Sequence, residues 1–205
     1  MRRKLITELR EKGIEQDKVL EAFDEVPRHY FLDEVFNHQA YSNIAFQIGA
    51  GQTISHPFTV AFQTELLNVE RGDRILEIGT GSGFQTSILS ALGARVVTIE
   101  RQRELFLNAK RIIHRLGFTP KLFYGDGYKG KVTYAPYDSI IVTCGAPFLP
   151  EDLKKQVKIG GRIVIPIGKG DQQIMTTFDR IDENEWDVKE YGDFSFVPML
   201  KNTAR

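Results

Sequence analysis

A short glycine-rich segment is the part of this sequence whose residue types most clearly predict chemistry. It reads Glu77-Ile78-Gly79-Thr80-Gly81-Ser82-Gly83. The apolar residues before its glycines predict a buried strand over 74–78, and the pattern after it predicts a helix over 85–92. Open α/β sheets bind ligands at the carboxyl ends of their strands, where glycine lets a ligand approach the backbone. The segment therefore predicts a site for a nucleotide-like cofactor.

The same segment differs from the fingerprint of proteins that bind nicotinamide dinucleotides. That fingerprint, G-x-G-x-x-G, needs a third glycine at position 84, where this chain has Phe84. A nicotinamide-dependent oxidoreductase is therefore a disfavoured alternative. A cofactor-binding module without catalysis is a second alternative.

Two further acidic residues are predicted to lie on the same edge of the sheet. Glu100 ends the next strand, 21 residues after Gly79. This separation is typical of a carboxylate that accepts hydrogen bonds from two ribose hydroxyls. Asp126, in the segment Gly125-Asp126-Gly127, follows the third strand and could meet an adenine amino group. The alternative for Asp126 is a simple Asp-Gly turn.

The elements that must position these residues alternate between strand and helix from Pro57 onward. The predicted strands are 74–78, 95–100, 121–124 and 138–143, and the predicted helices include one ending near Gly117 and one over 151–157. Segments 162–167, 173–181, 186–191 and 194–197 read as strands joined by Gly/Asp turns. The fold predicted is α/β: a Rossmann-like, doubly wound, mostly parallel sheet with helices on both faces and antiparallel C-terminal strands.

The N-terminal part of the chain has a different pattern. Residues 5–36 carry apolar residues at helical spacing and predict a helical extension, whereas 37–56 show no sustained period and predict a long functional or mobile loop. We expect a single domain over 1–205. In it, 1–56 form the N-terminal helices and a covering loop, 57–168 the cofactor-binding core, and 169–205 the strands that complete the sheet and a substrate groove.

Composition disfavours several other function classes. Among 205 residues, Lys and Arg number 27 and Asp and Glu 27, so no net charge attracts nucleic acid or an anionic membrane. No run reaches the roughly 18 apolar residues of a spanning helix, and charged residues follow the basic start too soon for a signal peptide. With the single Cys144, this predicts a cytoplasmic protein. The four histidines lack ligand spacing, so no metal site is expected.

The glycine segment, the acid that ends the second strand and the acid after the third together resemble the class I S-adenosylmethionine-dependent methyltransferases. Further segments resemble the protein-L-isoaspartate O-methyltransferases within that class, in the order of that family from about residue 5 to 200. They are Val26-Pro27-Arg28-His29-Tyr30-Phe31, 48–57 (IGAGQTISHP), Thr64-Glu65-Leu66-Leu67, Thr98-Ile99-Glu100-Arg101, Ala135-Pro136-Tyr137-Asp138, 160–168 (GGRIVIPIG) and Phe196-Val197-Pro198. The chain departs from the family pattern at Gln63, at Cys144-Gly145 and at Met199.

The resemblance implies a monomeric repair enzyme. It would transfer a methyl group from S-adenosylmethionine, leaving S-adenosylhomocysteine, to the free α-carboxylate of L-isoaspartyl residues in damaged proteins and peptides. The cofactor-binding residues implied are Thr53, Ile54, Glu77, Gly79, Thr80, Gly81, Ser82, Gly83, Glu100, Arg101, Gly125, Asp126 and Gly127.

The acceptor side of the site is also implied by the resemblance. Ser55 is the expected catalytic residue, because its hydroxyl would donate to the substrate carboxylate. Ile54, Ser55, Val197 and Pro198 are expected to bind the substrate peptide. The alternative for Ser55 is a helix N-cap, since Pro57 suits the first turn of the next helix. Packing alone is the alternative for Ile54, Val197 and Pro198.

Overall fold

A seven-stranded sheet forms the centre of the computed structural model, which describes residues 1–204. Its strands are β3 (Arg74–Ile78), β4 (Arg95–Glu100), β5 (Lys121–Tyr124), β6 (Tyr137–Val142), β7 (Val157–Ile167), β8 (Gln173–Arg180) and β9 (Trp186–Phe194). The order across the sheet is β5-β4-β3-β6-β7-β8-β9. The first five of these run parallel, and the pairs β7–β8 and β8–β9 are antiparallel. The predicted doubly wound sheet with antiparallel C-terminal strands is confirmed.

Helices cover both faces of this sheet. On one face, Ile75 and Val96 pack against α3 (Pro57–Leu67) and α4 (Phe84–Ala91). On the other, Leu76 and Val97 belong to a cluster that includes Leu153 of α6 (Glu151–Lys154). The central strands are apolar on both faces because both faces are buried, as expected of a parallel sheet. The helix α5 (Arg103–Arg115) connects β4 to β5.

The N-terminal extension is helical, as predicted. It contains α1 (Arg2–Glu11), α2 (Asp17–Glu25) and two 3₁₀ turns, Arg28–Phe31 and Glu34–Gln39. Buried side chains of α1 and α2 form one cluster with Phe84 and Ile88 of α4. The extension therefore packs directly behind the glycine-rich segment.

The prediction of one long loop over 37–56 is wrong in part. Strands β1 (Phe46–Gly49) and β2 (Gln52–Ile54) form an antiparallel hairpin. Its turn has three consecutive residues at positive φ, Gly49, Ala50 and Gly51. A strand pair this short carries no long alternation of apolar residues, so its periodicity is too brief to be detected.

The C-terminal strands also differ from their predicted bounds. Strand β9 extends the segment predicted over 186–191 as far as Phe194, with a register shift against β8 that carries it past Gly192. The strand predicted over 194–197 is wrong, because residues 195–197 lie outside any strand. Strand β7 begins at Val157 instead of 162, and α6 ends at Lys154 instead of 157. Residues after β9 form single bridges, such as the one between Pro198 and Gly145.

No helix within residues 1–204 has the length and apolar character needed to cross a membrane. The same residues contain no group of three or more His, Cys, Asp or Glu side chains arranged to hold a metal ion.

Candidate active site

A cavity lies at the carboxyl ends of the parallel strands, where the sequence predicts a cofactor site. Most of its wall comes from five segments: β2 and the residue after it, the loop after β3, the end of β4, the loop after β6, and the chain beyond β9. The residues of these segments are Gln52, Thr53, Ile54, Ser55, Ile78, Gly79, Thr80, Gly81, Ser82, Ile99, Glu100, Arg101, Thr143, Cys144, Val197, Pro198, Met199 and Leu200. The structure thus brings the predicted cofactor loop and the predicted acceptor residues together in one cavity.

The glycine-rich loop is held open by contacts that only glycine permits. Gly79 has a φ of +96°, and a Cβ at this position would lie 2.6 Å from Oγ1 of Thr143. That hydroxyl donates to the carbonyl oxygens of Ile78 and Gly79, at 2.9 Å and 2.6 Å. The loop backbone is therefore fixed from the β6 side, and its open side faces the cavity.

Glu100 supplies a buried carboxylate to the cavity wall. Its side chain is 4% exposed. Oε2 accepts from the N–H of Gly81 and Oε1 from the N–H of Gln102, both at 2.8 Å. Burial raises the pKa of Glu100, while these backbone donors act in the opposite direction. Each oxygen keeps a second lone pair, so this carboxylate fits a pair of ribose hydroxyls.

Two backbone N–H groups hold the carboxylate of Asp126. Its Oδ1 accepts from the N–H of Tyr128 and its Oδ2 from the N–H of Asn202, each at 2.9 Å. The neighbouring Gly127 lines the cavity, whereas Asp126 does not. The Asp-Gly turn alternative describes this geometry, with Asp126 as the cap of a 3₁₀ turn over Gly127–Lys129.

Three other predicted cofactor residues support the site without lining the cavity. Glu77 is fully buried, and its Oε2 accepts from the hydroxyl of Thr86 in α4. Burial raises the pKa of Glu77 to about 8, so the side chain is neutral at pH 7. Gly83 is the N-cap of α4 at a φ of +91°, where a Cβ would lie 2.8 Å from Ile113. The N–H of Gly125 donates to the carbonyl oxygen of Glu100 at 2.9 Å.

The predicted acceptor residues lie on the hairpin side of the cavity. Ser55 follows β2 and is half-buried, and its carbonyl oxygen accepts from Nη2 of Arg28 at 2.8 Å. His56, not Ser55, occupies the N-cap position of α3. The N-cap alternative for Ser55 is therefore wrong, and Ser55 lines the cavity.

The C-terminal segment forms the opposite wall. The N–H of Gly145 donates to the carbonyl oxygen of Val197, and the N–H of Met199 donates to that of Gly145, both at 2.8 Å. These bonds hold Val197 and Pro198 against the loop after β6. The predicted groove residues therefore do line the cavity.

The family model of protein-L-isoaspartate(D-aspartate) O-methyltransferases matches residues 1–204. The chain belongs to this family. The protein-L-isoaspartate O-methyltransferase of Flavobacterium psychrophilum is 54% identical over 203 residues, which cover 98% of this chain and 95% of that protein.

Two solved structures of the family share this fold. One protein-L-isoaspartate O-methyltransferase superposes with a TM-score of 0.90 at 31% identity, over 98% of this chain and 67% of the other. The second, from Plasmodium falciparum, has a TM-score of 0.84 at 25% identity and covers 98% of this chain and 99% of its own. The latter structure is a complex with S-adenosyl-L-homocysteine.

Several lining residues escaped the sequence analysis. Thr143 and Cys144 follow β6, so the rule that ligands lie at the carboxyl ends of parallel strands could have found them. Burial raises the pKa of the Cys144 thiol to about 12, which leaves it neutral. Gln63 and Gln85, on α3 and α4, are buried residues that also line the cavity. Their Nε2 groups donate to the carbonyl oxygen of Val142 and to the hydroxyl of Thr64. The other lining residues without a predicted role are Gln52, Val60, Ile78, Phe84, Ile99, Met199 and Leu200.

Proposed function

We propose that this protein transfers a methyl group from S-adenosylmethionine to the free α-carboxylate of L-isoaspartyl residues in damaged proteins and peptides. The observation that carries the proposal is a single cavity that joins the glycine loop and Glu100 to the hydroxyl-bearing residue Ser55. Membership of the protein-L-isoaspartate O-methyltransferase family supports the same substrate.

The cofactor side of the cavity fits S-adenosylmethionine. The buried Glu100 carboxylate would accept hydrogen bonds from the ribose hydroxyls of the cofactor. The open backbone of Gly79 and Gly81 would lie against the rest of the cofactor. Gly127 would contact the adenine, with Asp126 holding that turn in place. Thr53, Ile54, Thr80, Ser82 and Arg101 complete the proposed contacts, whereas Glu77, Gly83 and Gly125 shape the loop from behind.

The acceptor chemistry needs few protein groups. When bound, the cofactor supplies a methyl group that is attached to a positively charged sulfur. After the transfer, this sulfur is part of a neutral thioether, which is the leaving group. The acceptor carboxylate is ionised at pH 7 and is itself the nucleophile, so the chain need not provide a general base. An oxygen lone pair forms the new O–CH₃ bond as the S–CH₃ bond breaks, which gives a methyl ester.

The proposed role of the chain is to position and desolvate this pair of charges. Ser55 donates from its hydroxyl to one carboxylate oxygen and so fixes which oxygen faces the methyl group. Ile54, Val197 and Pro198 line the path of the peptide and exclude water. The neutral thiol of Cys144 adds no competing nucleophile.

The setting of this activity is also part of the proposal. We infer a cytoplasmic monomer that acts on isoaspartyl proteins and peptides, with no role for nucleic acid. The balance of 27 basic and 27 acidic residues and the single cysteine support this setting.

Methyl transfer to a matched pair of peptides tests the proposed function. The peptides carry L-isoaspartate or L-aspartate at the same position, and the donor is radiolabelled S-adenosylmethionine. We expect base-labile radiolabel on the isoaspartyl peptide alone. Equal labelling of both peptides, or labelling of neither with cofactor binding intact, would contradict the proposal.

A further inference from the structure

Arg28 carries a buried positive charge beside the proposed acceptor site. It lies in the 3₁₀ turn after α2 and is 1% exposed. Its Nη2 donates to the carbonyl oxygens of Ser55, at 2.8 Å, and of Ile44, at 3.2 Å. Its guanidinium carbon lies 4.9 Å from the centre of the Phe84 ring. Arg28 thus touches the segment before α3 and the first residue of α4.

This charge has no counterion in the part of the chain that the structure describes. None of the salt bridges among residues 1–204 involves Arg28. Nε and Nη1 of the same guanidinium have no hydrogen-bond partner within those residues. Buried charges in proteins are normally paired, because an unpaired one costs several kcal/mol of desolvation. A fully buried arginine without a carboxylate therefore needs an explanation.

Two facts connect this charge with the acceptor site. Arg28 does not line the cavity, but it holds the main chain of Ser55, whose side chain does. Burial lowers the pKa of Arg28 to about 9, which leaves it charged at pH 7. Its charge also contributes, after burial, to the lowered pKa of His56, so it acts on the segment that follows Ser55.

We propose that Arg28 is a positioning residue for the acceptor: it fixes the Ser55 main chain, and its uncompensated charge favours the anionic α-carboxylate over a neutral group. The substrate carboxylate is then the missing counterion, separated from the guanidinium by the Ser55 residue. This inference rests on the proposed function and adds the feature that selects an ionised acceptor.

Two substitutions separate the charge of Arg28 from its hydrogen bonds. Arg28→Gln keeps an N–H donor for the carbonyl oxygens but removes the charge, whereas Arg28→Lys keeps both. Arg115→Met is the matched control, because Arg115 also stacks on an aromatic ring, at 5.4 Å from Tyr30, but lies exposed outside the cavity.

The decisive measurement is discrimination between an acid and an amide. Binding of an isoaspartyl peptide with a free α-carboxylate, and of the same peptide with an α-carboxamide, is measured in the presence of S-adenosylhomocysteine. We expect Arg28→Gln to lower the acid-over-amide affinity ratio by about tenfold, with Arg28→Lys and Arg115→Met within about threefold of wild type. We also expect KM for the isoaspartyl peptide to rise more than kcat falls in Arg28→Gln.

A structural role alone would give a different pattern. It would weaken binding of both peptides equally and leave the ratio unchanged, and that result would overturn the proposal. If Arg28→Gln fails to bind S-adenosylhomocysteine because it is misfolded, the acid-over-amide affinity ratio of the Ser55→Ala variant tests the proposal. Loss of the whole acid preference in Ser55→Ala would show that Arg28 contributes none, whereas a residual preference of about threefold or more would support it.

Failure of the proposed function has its own signature. A wild-type protein that transfers no methyl group to the isoaspartyl peptide and shows no acid preference would overturn both proposals. A wild-type enzyme that is active, with an Arg28→Gln variant of unchanged ratio, would overturn the inference about Arg28 alone.

Discussion

Ser55 and Glu100 line the same cavity, but their surroundings prepare them for different partners. The Ser55 carbonyl oxygen is held by Arg28, while its hydroxyl takes no part in capping α3. The Glu100 oxygens are oriented by the N–H groups of Gly81 and Gln102. The groups that hold Ser55 and Glu100 in place are different. Substitutions at the two positions are therefore expected to separate effects on the acceptor peptide from effects on cofactor binding.

Replacing Ser55 with alanine is expected to impair methyl transfer to the acceptor peptide but not cofactor binding. Removal of one hydroxyl donor to a charged oxygen should lower kcat/KM for an isoaspartyl peptide about 10- to 100-fold. Affinity for S-adenosylhomocysteine, measured by calorimetric titration, should stay within about twofold of wild type. Ser42→Ala, at an exposed serine outside the cavity, is the control. An equal loss of cofactor affinity would show that the assignment of Ser55 to the acceptor is wrong.

Replacing Glu100 with alanine is expected to weaken cofactor binding. Loss of a carboxylate that accepts from two hydroxyls should weaken S-adenosylhomocysteine binding by about 10- to 100-fold, whereas Glu104→Ala on the exposed start of α5 should not. Since burial raises the pKa of Glu100, protonation begins at a higher pH than for an ordinary glutamate. Wild-type affinity should therefore fall as the pH drops toward that pKa, and this fall should be absent in Glu100→Ala.

At the scale of elements, the turn from β3 into α4 depends on a close approach to the loop after β6. Gly79→Ala places a Cβ against the Thr143 hydroxyl at a positive φ, so both cofactor affinity and stability should fall, stability by about 2–4 kcal/mol. Gly117→Ala is the matched control, because Gly117 has a φ of +85° after α5 with open space around its Cβ position. We expect it to cost only about 1 kcal/mol and to leave cofactor binding intact.

Urea unfolding and titration with S-adenosylhomocysteine measure the two effects. Equal destabilisation by both alanines would mean that backbone strain alone explains the glycine at position 79. Retained cofactor affinity in Gly79→Ala would remove this loop from the binding site.

The elements also show where sequence patterns suffice and where they do not. The strands from β3 to β6 were predictable because each is a short apolar run with a helix or glycine turn after it. The hairpin of β1 and β2 was not, because three or four residues per strand cannot display a period. The extra residues at the start of β7 also lack a strand pattern: Val157 pairs with Tyr137 of β6, and the register then shifts so that the next pair is Arg162 with Ser139.

The candidate site divides in the same way. Gly79, Gly81 and Glu100 were predictable from local spacing, since one strand end and one loop place them. The actual bonds of Asp126 were not, because Oδ2 meets the backbone of Asn202, which is 76 residues away in the chain. A contact of that kind depends on the path of the C-terminal segment across the sheet edge, which no local pattern records.

At the scale of the whole molecule, Glu77 couples folding to pH. Its pKa is raised from an ordinary value of 4.5 to about 8 in the folded protein, so the folded state binds a proton that the unfolded state has released. Its contribution to the free energy of unfolding is therefore greatest below about pH 4.5 and declines until about pH 8. The slope approaches about 1.4 kcal/mol per pH unit in that window.

Glu77→Gln should remove this dependence, because a neutral amide takes up no proton. The measurement is the difference in free energy of unfolding between wild type and variant from pH 5 to 8, which cancels the other titrating groups. A constant difference for Glu77→Gln would show that Glu77 is ionised in the folded protein throughout this range.

The cavity wall formed by residues 197–200 has a consequence for biosynthesis. Val197 and Met199 bond to Gly145, and Asn202 bonds to Asp126, so residues made late by the ribosome complete a site whose other walls are made much earlier. A nascent chain can assemble the parallel strands while the site still lacks one side. We therefore expect no methyl transfer by a nascent chain until this segment has left the exit tunnel.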